Sequence, residues 1–505
     1  MSETPAQLIA WIPELIYQAN GFADGMALVC DGSDSIVRLV HVDQLTDERR
    51  INLRRRAILP GMINAHSHAF QRVIRGRTEY RTANQRDSFW TWRELMYSAA
   101  TRLTPEDVYD ASRMAFLEMA LNGITAVGEF HYLHHAPDGT PYDDPNLLAK
   151  EVVRAARDVG LRIALLRVAY ARSGFNTDPN PRQARFIESD AELYLKSVQA
   201  LAASVGNPTV REGAGDDAGD EKSAGTLAHA RVSDTSWVGI APHSVRAVPL
   251  DYLKSVAAYA NEHDLKVHMH VAEQPAEVSA CVEEYGRTPV ALLQSEGLLS
   301  ERFTAVHAIH VTPKAIASFA GTRAMVCACP TTERNLGDGV VPADEYLKHG
   351  VPICLGTDSH AQIDLFEDAR ELEYHLRLQK LERVVVSGGA SGGGDDSGTF
   401  PDGRVSALAT RLFDCATVNG ARSIGAAAGT LAPGTPADFF TIDLDDPAVA
   451  GAAAHDLLPA IVFSSSRAAI REVVVGGKPI VSEGQHLMQE DVIERFNELQ
   501  KRLWA

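Results

Sequence analysis

The sequence predicts an α/β protein: a (β/α)8 barrel carrying a small β-sandwich-like domain built from both ends of the chain. Two observations predict it. Between residues 57 and 355 eight apolar, strand-like segments alternate with helical stretches, the mark of parallel βα units. At 16–59, and again after Leu431, the pattern is instead one of short strand-like segments.

The eight barrel segments are 57–66, 124–130, 163–169, 238–242, 266–271, 304–309, 324–328 and 351–355. Helical spacing is readable between several of them. In 105–121 Val108, Met114, Phe116, Leu117 and Leu121 gather toward one side, with Pro105 in the first turn and Gly123 beyond the end. The small domain takes strands at 26–30 and 36–42, separated by a turn signal at 31–34, and regains strands at 437–443 and 471–480 before an amphipathic helix at 489–503. The expected division is therefore 1–59, 60–428 and 429–505. Two segments, 206–234 and 387–400, are too rich in small and acidic residues to bury much apolar surface and read as insertions in surface loops.

The composition narrows the function. With 505 residues, 45% hydrophobic and 23% charged, the chain can bury a large core. A net charge of -18 without a long basic run argues against nucleic acid and anionic membranes as partners. The apolar run at 8–16 is short and broken by Pro13 and Glu14, and no run approaches the ~20 residues of a membrane span, so a cytoplasmic protein is expected. The six cysteines are scattered, and Cys327 and Cys329 have no second pair, so buried free thiols are expected.

The chemistry starts at His66 and His68. Residues i and i+2 of a strand share a face, so two imidazoles can reach one point. Taken alone, such a pair is as well explained by hydrogen-bonded core histidines. However, segment five carries His268, His270 and Glu273, segment six ends in His307, and segment eight leads into Asp358 and His360. In a βα barrel these strand ends open onto one mouth, so residues almost three hundred positions apart converge. His66, His68, His270 and Asp358 then form a ligand set for one divalent ion, with Zn²⁺ suiting three imidazoles and a carboxylate. His268 lies deeper and reads as a core residue, while Glu273 is better placed to move a proton than to hold the metal.

With these residues in view, the chain resembles the amidohydrolase superfamily, whose pattern of HxH, HxxE, His and Asp on strands one, five, six and eight it reproduces. Residues 429–439 resemble that family's return to the β-domain. Segment four offers no Lys for a carbamylated bridge, which favours the mononuclear deaminase branch. Stretches 64–72, 89–97, 129–135, 241–248 and 270–274 further resemble the formimidoylglutamate deiminase family. That resemblance implies hydrolytic deimination of N-formimidoyl-L-glutamate to N-formyl-L-glutamate and ammonia in histidine degradation, by a metal-activated water. It makes Asp358 the acceptor of the water's proton, Glu273 the acid for the departing nitrogen and His307 the stabiliser of the tetrahedral centre. Arg93 and Arg246 would bind the two carboxylates of a small-molecule substrate, and Gln71, Tyr132 and His243 would add hydrogen bonds. A homodimer is expected. Plainer readings stand beside these: Tyr132 could cap a strand, and Arg93 could pair with Glu94 or Asp87. Two other functions also remain: deamination of an aromatic ring, using Phe70, Trp90 and Trp92 for stacking, and an inactive barrel serving as a binding protein.

Overall fold

The structure is a computed structural model that describes residues 8–18, 21–31, 34–80, 88–205, 235–387 and 406–505. The insertion at 206–234, and that at 387–400 apart from Ser387, lie outside the described residues.

All eight predicted barrel strands form. In chain order they are Met62–Ser67, Ile124–His131, Arg162–Ala169, Ser236–Pro242, Val267–Val271, Phe303–His307, Met325–Ala328 and Ile353–Leu355, each parallel to the next. Nearly every residue in them is buried, which is why they read as continuous apolar runs rather than alternating ones. The barrel is drawn shut by a parallel bridge between Ser67 and Asp358: the Asp358 amide donates to the His66 carbonyl and the His68 amide to the Asp358 carbonyl, both at 3.0 Å.

The first strand starts later than its apolar run. Residues 57–60 belong to a separate strand, Arg49–Pro60, and Gly61 divides the two. A Cβ at Gly61 would fall 2.2 Å from Thr125 Oγ1, so no other residue fits the step from one sheet to the other.

Arg49–Pro60 lies inside a nine-stranded mixed sheet that joins the two chain ends. It pairs in parallel with Ile9–Gln18 and antiparallel with Phe439–Asp443. The apolar run interrupted by Pro13 is thus a strand, and the register shifts between Pro13 and Leu15, where a bulge spares proline's missing N–H. A buried ion pair, Arg162 Nε to Asp438 Oδ2 at 2.7 Å, ties this sheet to the barrel's third strand.

Helix Pro105–Leu121 has the predicted bounds, with a Thr104–Asp107 capping box. The terminal helix Gln489–Trp504 packs on it through Arg495–Asp110 and Arg502–Asp107 ion pairs. All six cysteines are buried free thiols. Among the described residues no helix is long and apolar enough to cross a membrane.

Candidate metal-dependent active site

The strand ends converge as the barrel geometry requires. His66 Nε2 lies 3.2 Å from the Nε2 atoms of both His68 and His270, and Asp358 Oδ1 lies 3.4 Å from His66 Nε2 and 3.2 Å from His68 Nε2. Donors about 2.1 Å from a tetrahedral ion stand about 3.4 Å apart, so the four atoms are spaced as ligands of one ion.

Their protonation demands a cation as well. His68 Nδ1 donates to the Phe130 carbonyl at 2.9 Å and His270 Nδ1 to the His243 carbonyl at 3.1 Å. A carbonyl only accepts, so both rings carry a proton on Nδ1 and turn Nε2 inward, the orientation in which a histidine binds a metal. Protons cannot relieve the crowding, because burial pushes His66 down to about 3 and His270 well below its ordinary value, with the neighbouring histidines adding to it. Three nitrogens and a carboxylate oxygen, all buried, fit a divalent metal.

Beside this cluster sit Glu273 and His307. Burial raises the Glu273 carboxyl above its usual range; His307 opposes the shift and Asp358 adds to it. His307 goes the other way from the ligands. Burial disfavours its charge, but Glu273, a hydrogen bond to Glu333 and Asp358 outweigh that and push it up to about 10. Its Nδ1 meets Glu333 Oε1 at 3.2 Å, while Nε2 faces Asp358 Oδ2 at 3.7 Å and Glu273 Oε1 at 3.8 Å. Glu273 does not belong to the four-donor cluster. His268 is a core residue, its Nε2 donating to the Ser423 carbonyl at 3.0 Å.

Above the cluster opens a cavity whose walls include His68, Gln71, Arg93, Tyr132, His243, Arg246, His270, Glu273, His307 and Asp358. Gln71 Nε2 donates to Tyr132 Oη at 2.7 Å, and its buried Oε1 has no partner. Arg93 and Arg246 come from the helix Phe89–Ala100 and the loop after the fourth strand, yet their charges face each other. Burial lowers the Arg93 pKa and Arg246 lowers it further. Among the described residues neither forms a salt bridge, and buried Arg93 Nε and Arg246 Nη1 lack hydrogen-bond partners. Glu94 pairs instead with Arg182, and Asp87, the other partner considered for Arg93, lies outside the described residues. Trp90 lies under the Arg93 guanidinium, 4.4 Å from centroid to carbon, while Phe70 packs edge-on to Tyr132.

Several contributors have no signal of their own in the sequence. Glu333 orients His307 and also accepts from the Cys329 amide. Glu129 accepts from Ser67 Oγ and, at 2.7 Å, from the Ala69 amide, bracing the strand end that carries His66 and His68. Glu277, pushed up to about 7 by burial against the pull of Arg246, accepts from the Glu273 amide at 3.1 Å. Tyr97, Tyr170 and Phe186 also line the cavity, with Phe89, Trp92, Met96 and Leu336. Tyr97 and Glu129 fall within stretches that carry the resemblance, and His360, which contacts Ser67 Oγ at 3.0 Å, follows Asp358 by two residues.

The model of the amidohydrolase family matches residues 57–480. This chain belongs to the amidohydrolase family. A formimidoylglutamate deiminase of Pseudomonas aeruginosa is 37% identical over 87% of this chain and 88% of its own length. Among solved structures, an amidohydrolase from Brucella melitensis superposes with a TM-score of 0.83 at 30% identity, over 99% of this chain and all of its own. An adenosine deaminase from Xanthomonas campestris, solved with bound zinc, shares the fold at a TM-score of 0.76 and 20% identity, over 99% of this chain and 98% of its own. As an amidohydrolase with an intact His/Asp cluster, the chain is a metal-dependent hydrolase of the deaminating kind.

Proposed function

We propose that the chain hydrolyses N-formimidoyl-L-glutamate to N-formyl-L-glutamate and ammonia, a step of histidine degradation, with Zn²⁺ as its ion. One observation carries the substrate: two guanidinium groups share one cavity with unpartnered N–H groups, and among the described residues neither is in a salt bridge, Glu277 and Glu273 acting on Arg246 only from a distance. Two like charges held together inside a protein of net charge -18 call for a dianion from outside, and each fork matches a carboxylate in shape. The Pseudomonas relative's named substrate, a linear amidine with two carboxylates, meets that demand.

Zinc is supported by three imidazole nitrogens and one carboxylate at tetrahedral separations. Held by His66, His68, His270 and Asp358, such an ion supplies a Lewis acid that makes water nucleophilic near neutral pH. The chain's own groups do the rest. Asp358, with Oδ2 turned toward His307, accepts the proton of the attacking water. His307, charged and fixed by Glu333, stabilises the charge that develops on the amidine carbon's substituents. Glu273, its carboxyl favoured in the protonated form, delivers a proton to the nitrogen that leaves as ammonia. Gln71 Oε1 accepts an amidine N–H, and Tyr132 and His243 line the approach.

Ring deamination is less well supported: Trp92 lines the cavity, but Trp90 is engaged by Arg93 and Phe70 by Tyr132, and a neutral ring would leave the two guanidinium groups unmatched. Ammonia release from N-formimidoyl-L-glutamate, beside guanine and other amidines, tests the reading. Preference for a purine, or no turnover of the amidine by protein loaded with metal, refutes it.

A further inference from the structure

We propose that the chain carries a second, weaker metal site, formed by His307, Cys329 and Asp358, that takes thiophilic ions such as Zn²⁺ or Cd²⁺ and silences the enzyme when filled. The three side chains are fully buried and offer one ligand atom each within 4.8 Å of one another.

Three features mark the cluster as built for a cation rather than accidental. First, Asp358 has an oxygen to spare: Oδ1 faces His66 and His68, whereas Oδ2 points the other way, 3.7 Å from His307 Nε2. Second, His307 Nε2 is buried without a hydrogen-bond partner, while Nδ1 is held by Glu333 at 3.2 Å. A carboxylate behind one ring nitrogen is the arrangement that metal-binding histidines adopt, and an ion arriving at Nε2 displaces the proton that charges His307 in the resting enzyme, as it displaces that of the Cys329 thiol. Third, the same Glu333 oxygen accepts from the Cys329 amide at 2.9 Å, so one carboxylate orients both the histidine and the residue that bears the thiol. Glu273 Oε1, 3.8 Å from His307 Nε2, adds negative charge beside the cluster.

A sulfur ligand sets the ion class. Thiolates favour Zn²⁺ and Cd²⁺, while Mg²⁺ and Ca²⁺ prefer oxygen donors. Two dications sharing Asp358 repel each other, so the second binds more weakly than the ion held by three imidazoles. When it binds, it occupies the nitrogen of His307 and the free oxygen of Asp358, the two atoms that the reaction needs. Turnover therefore stops although the first ion remains. This site is distinct from a lysine-bridged pair, for which the fourth strand has no lysine.

The test starts from enzyme holding one ion per chain and adds Cd²⁺ or Zn²⁺, with Mg²⁺ as control. Equilibrium dialysis should find one further Cd²⁺ per chain, with a thiolate-to-cadmium charge-transfer band whose midpoint coincides with the loss of activity. Cys329→Ser and Cys329→Ala should turn over normally without added ion, lose the band, and need at least about tenfold more ion for inhibition. Cys281→Ser, on a helix outside the barrel, should behave as wild type. The binding measurements do not depend on which amidine is the substrate. A wild-type protein that stays at one ion, or Cys329 variants inhibited at the wild-type midpoint, would overturn the proposal. So would binding and inhibition with separate midpoints.

Discussion

Truncating Arg246 to alanine tests the substrate assignment most sharply. The side chain lines the cavity, its Nη1 is buried and unpartnered, and among the described residues no protein carboxylate bonds to it. Glu277 and Glu273 act on its charge without bonding to it, which leaves its N–H groups for a ligand. Removing it leaves a substrate carboxylate desolvated with no counter-charge, a loss of roughly 2–5 kcal/mol. At about 1.4 kcal/mol per tenfold, kcat/KM for N-formimidoyl-L-glutamate should fall about 30- to several-thousand-fold. Arg93→Ala should fall in the same range, and a lysine at either position should restore only part, because an ammonium cannot offer a planar fork. The assay compares each variant on the full substrate and on two analogues, one lacking the α-carboxylate and one the γ-carboxylate. Each arginine should become nearly neutral toward one analogue and stay costly toward the other. Arg246→Ala and Arg93→Ala that both process the full substrate normally, or losses equal for all three compounds, would show that the pair does not read carboxylates.

Three further outcomes are expected. Glu273→Gln keeps the shape but removes the titrating proton, so activity should drop by at least about 10²-fold with metal content unchanged; loss of the metal would make Glu273 a ligand. Elemental analysis should find about one tightly held ion per chain. Chelation should abolish activity and speed hydrogen exchange at the seam between the first and eighth strands, and unchanged exchange would show that the ion does not brace it. Glu188, bonded twice by Arg167 at 2.6 and 3.0 Å, is pulled down to about 2 against burial by His134 and Arg167. A carboxyl lowered in the folded state stabilises above its unfolded value near 4.5 and stops doing so as pH falls through about 2. Glu188→Gln should therefore remove up to about 3 kcal/mol of the stability the wild type loses across that window, read by denaturant unfolding from pH 5 to 2.

The barrel was legible because its strands are buried on both faces, so each appears as an unbroken apolar run with the functional residue at its end. The same property blurred one boundary. Residues 57–66 form a single apolar run, yet two sheets share it, and nothing before Gly61 in composition marks where one yields to the other. The strand Ile9–Gln18 was not legible for another reason: proline in an apolar run argues against a strand unless a bulge accommodates it. At the site, the metal donors could be placed by periodicity and barrel geometry alone. Arg93 and Arg246 could not, because one lies on a helix and the other in a loop 153 positions later, and only resemblance joined them. Glu333 gave no sign at all: its work is to hold His307 and Cys329, and contacts of that kind follow from the fold, not from spacing.

The site is also where the backbone departs from local preference. Ala272, His307, Ala308, Asp358 and His360 all have φ between +45° and +69°, a region that disfavours side chains and costs about 1–3 kcal/mol per residue. All five stand just at or beyond the ends of strands five, six and eight, where the chain must turn sharply for its side chains to aim into the mouth. Hydrogen bonds hold them there: Ala308 donates to the Val271 carbonyl at 2.9 Å, and Asp358 donates to the His66 carbonyl while its own carbonyl accepts from His68. The last two bonds are also those that close the barrel. Ligand placement and barrel closure thus rest on the same backbone atoms, so the fold cannot shut without bringing His66, His68 and Asp358 together. A glycine at 358 would relieve the strain but remove the carboxylate, which is why the strain persists where the chemistry is.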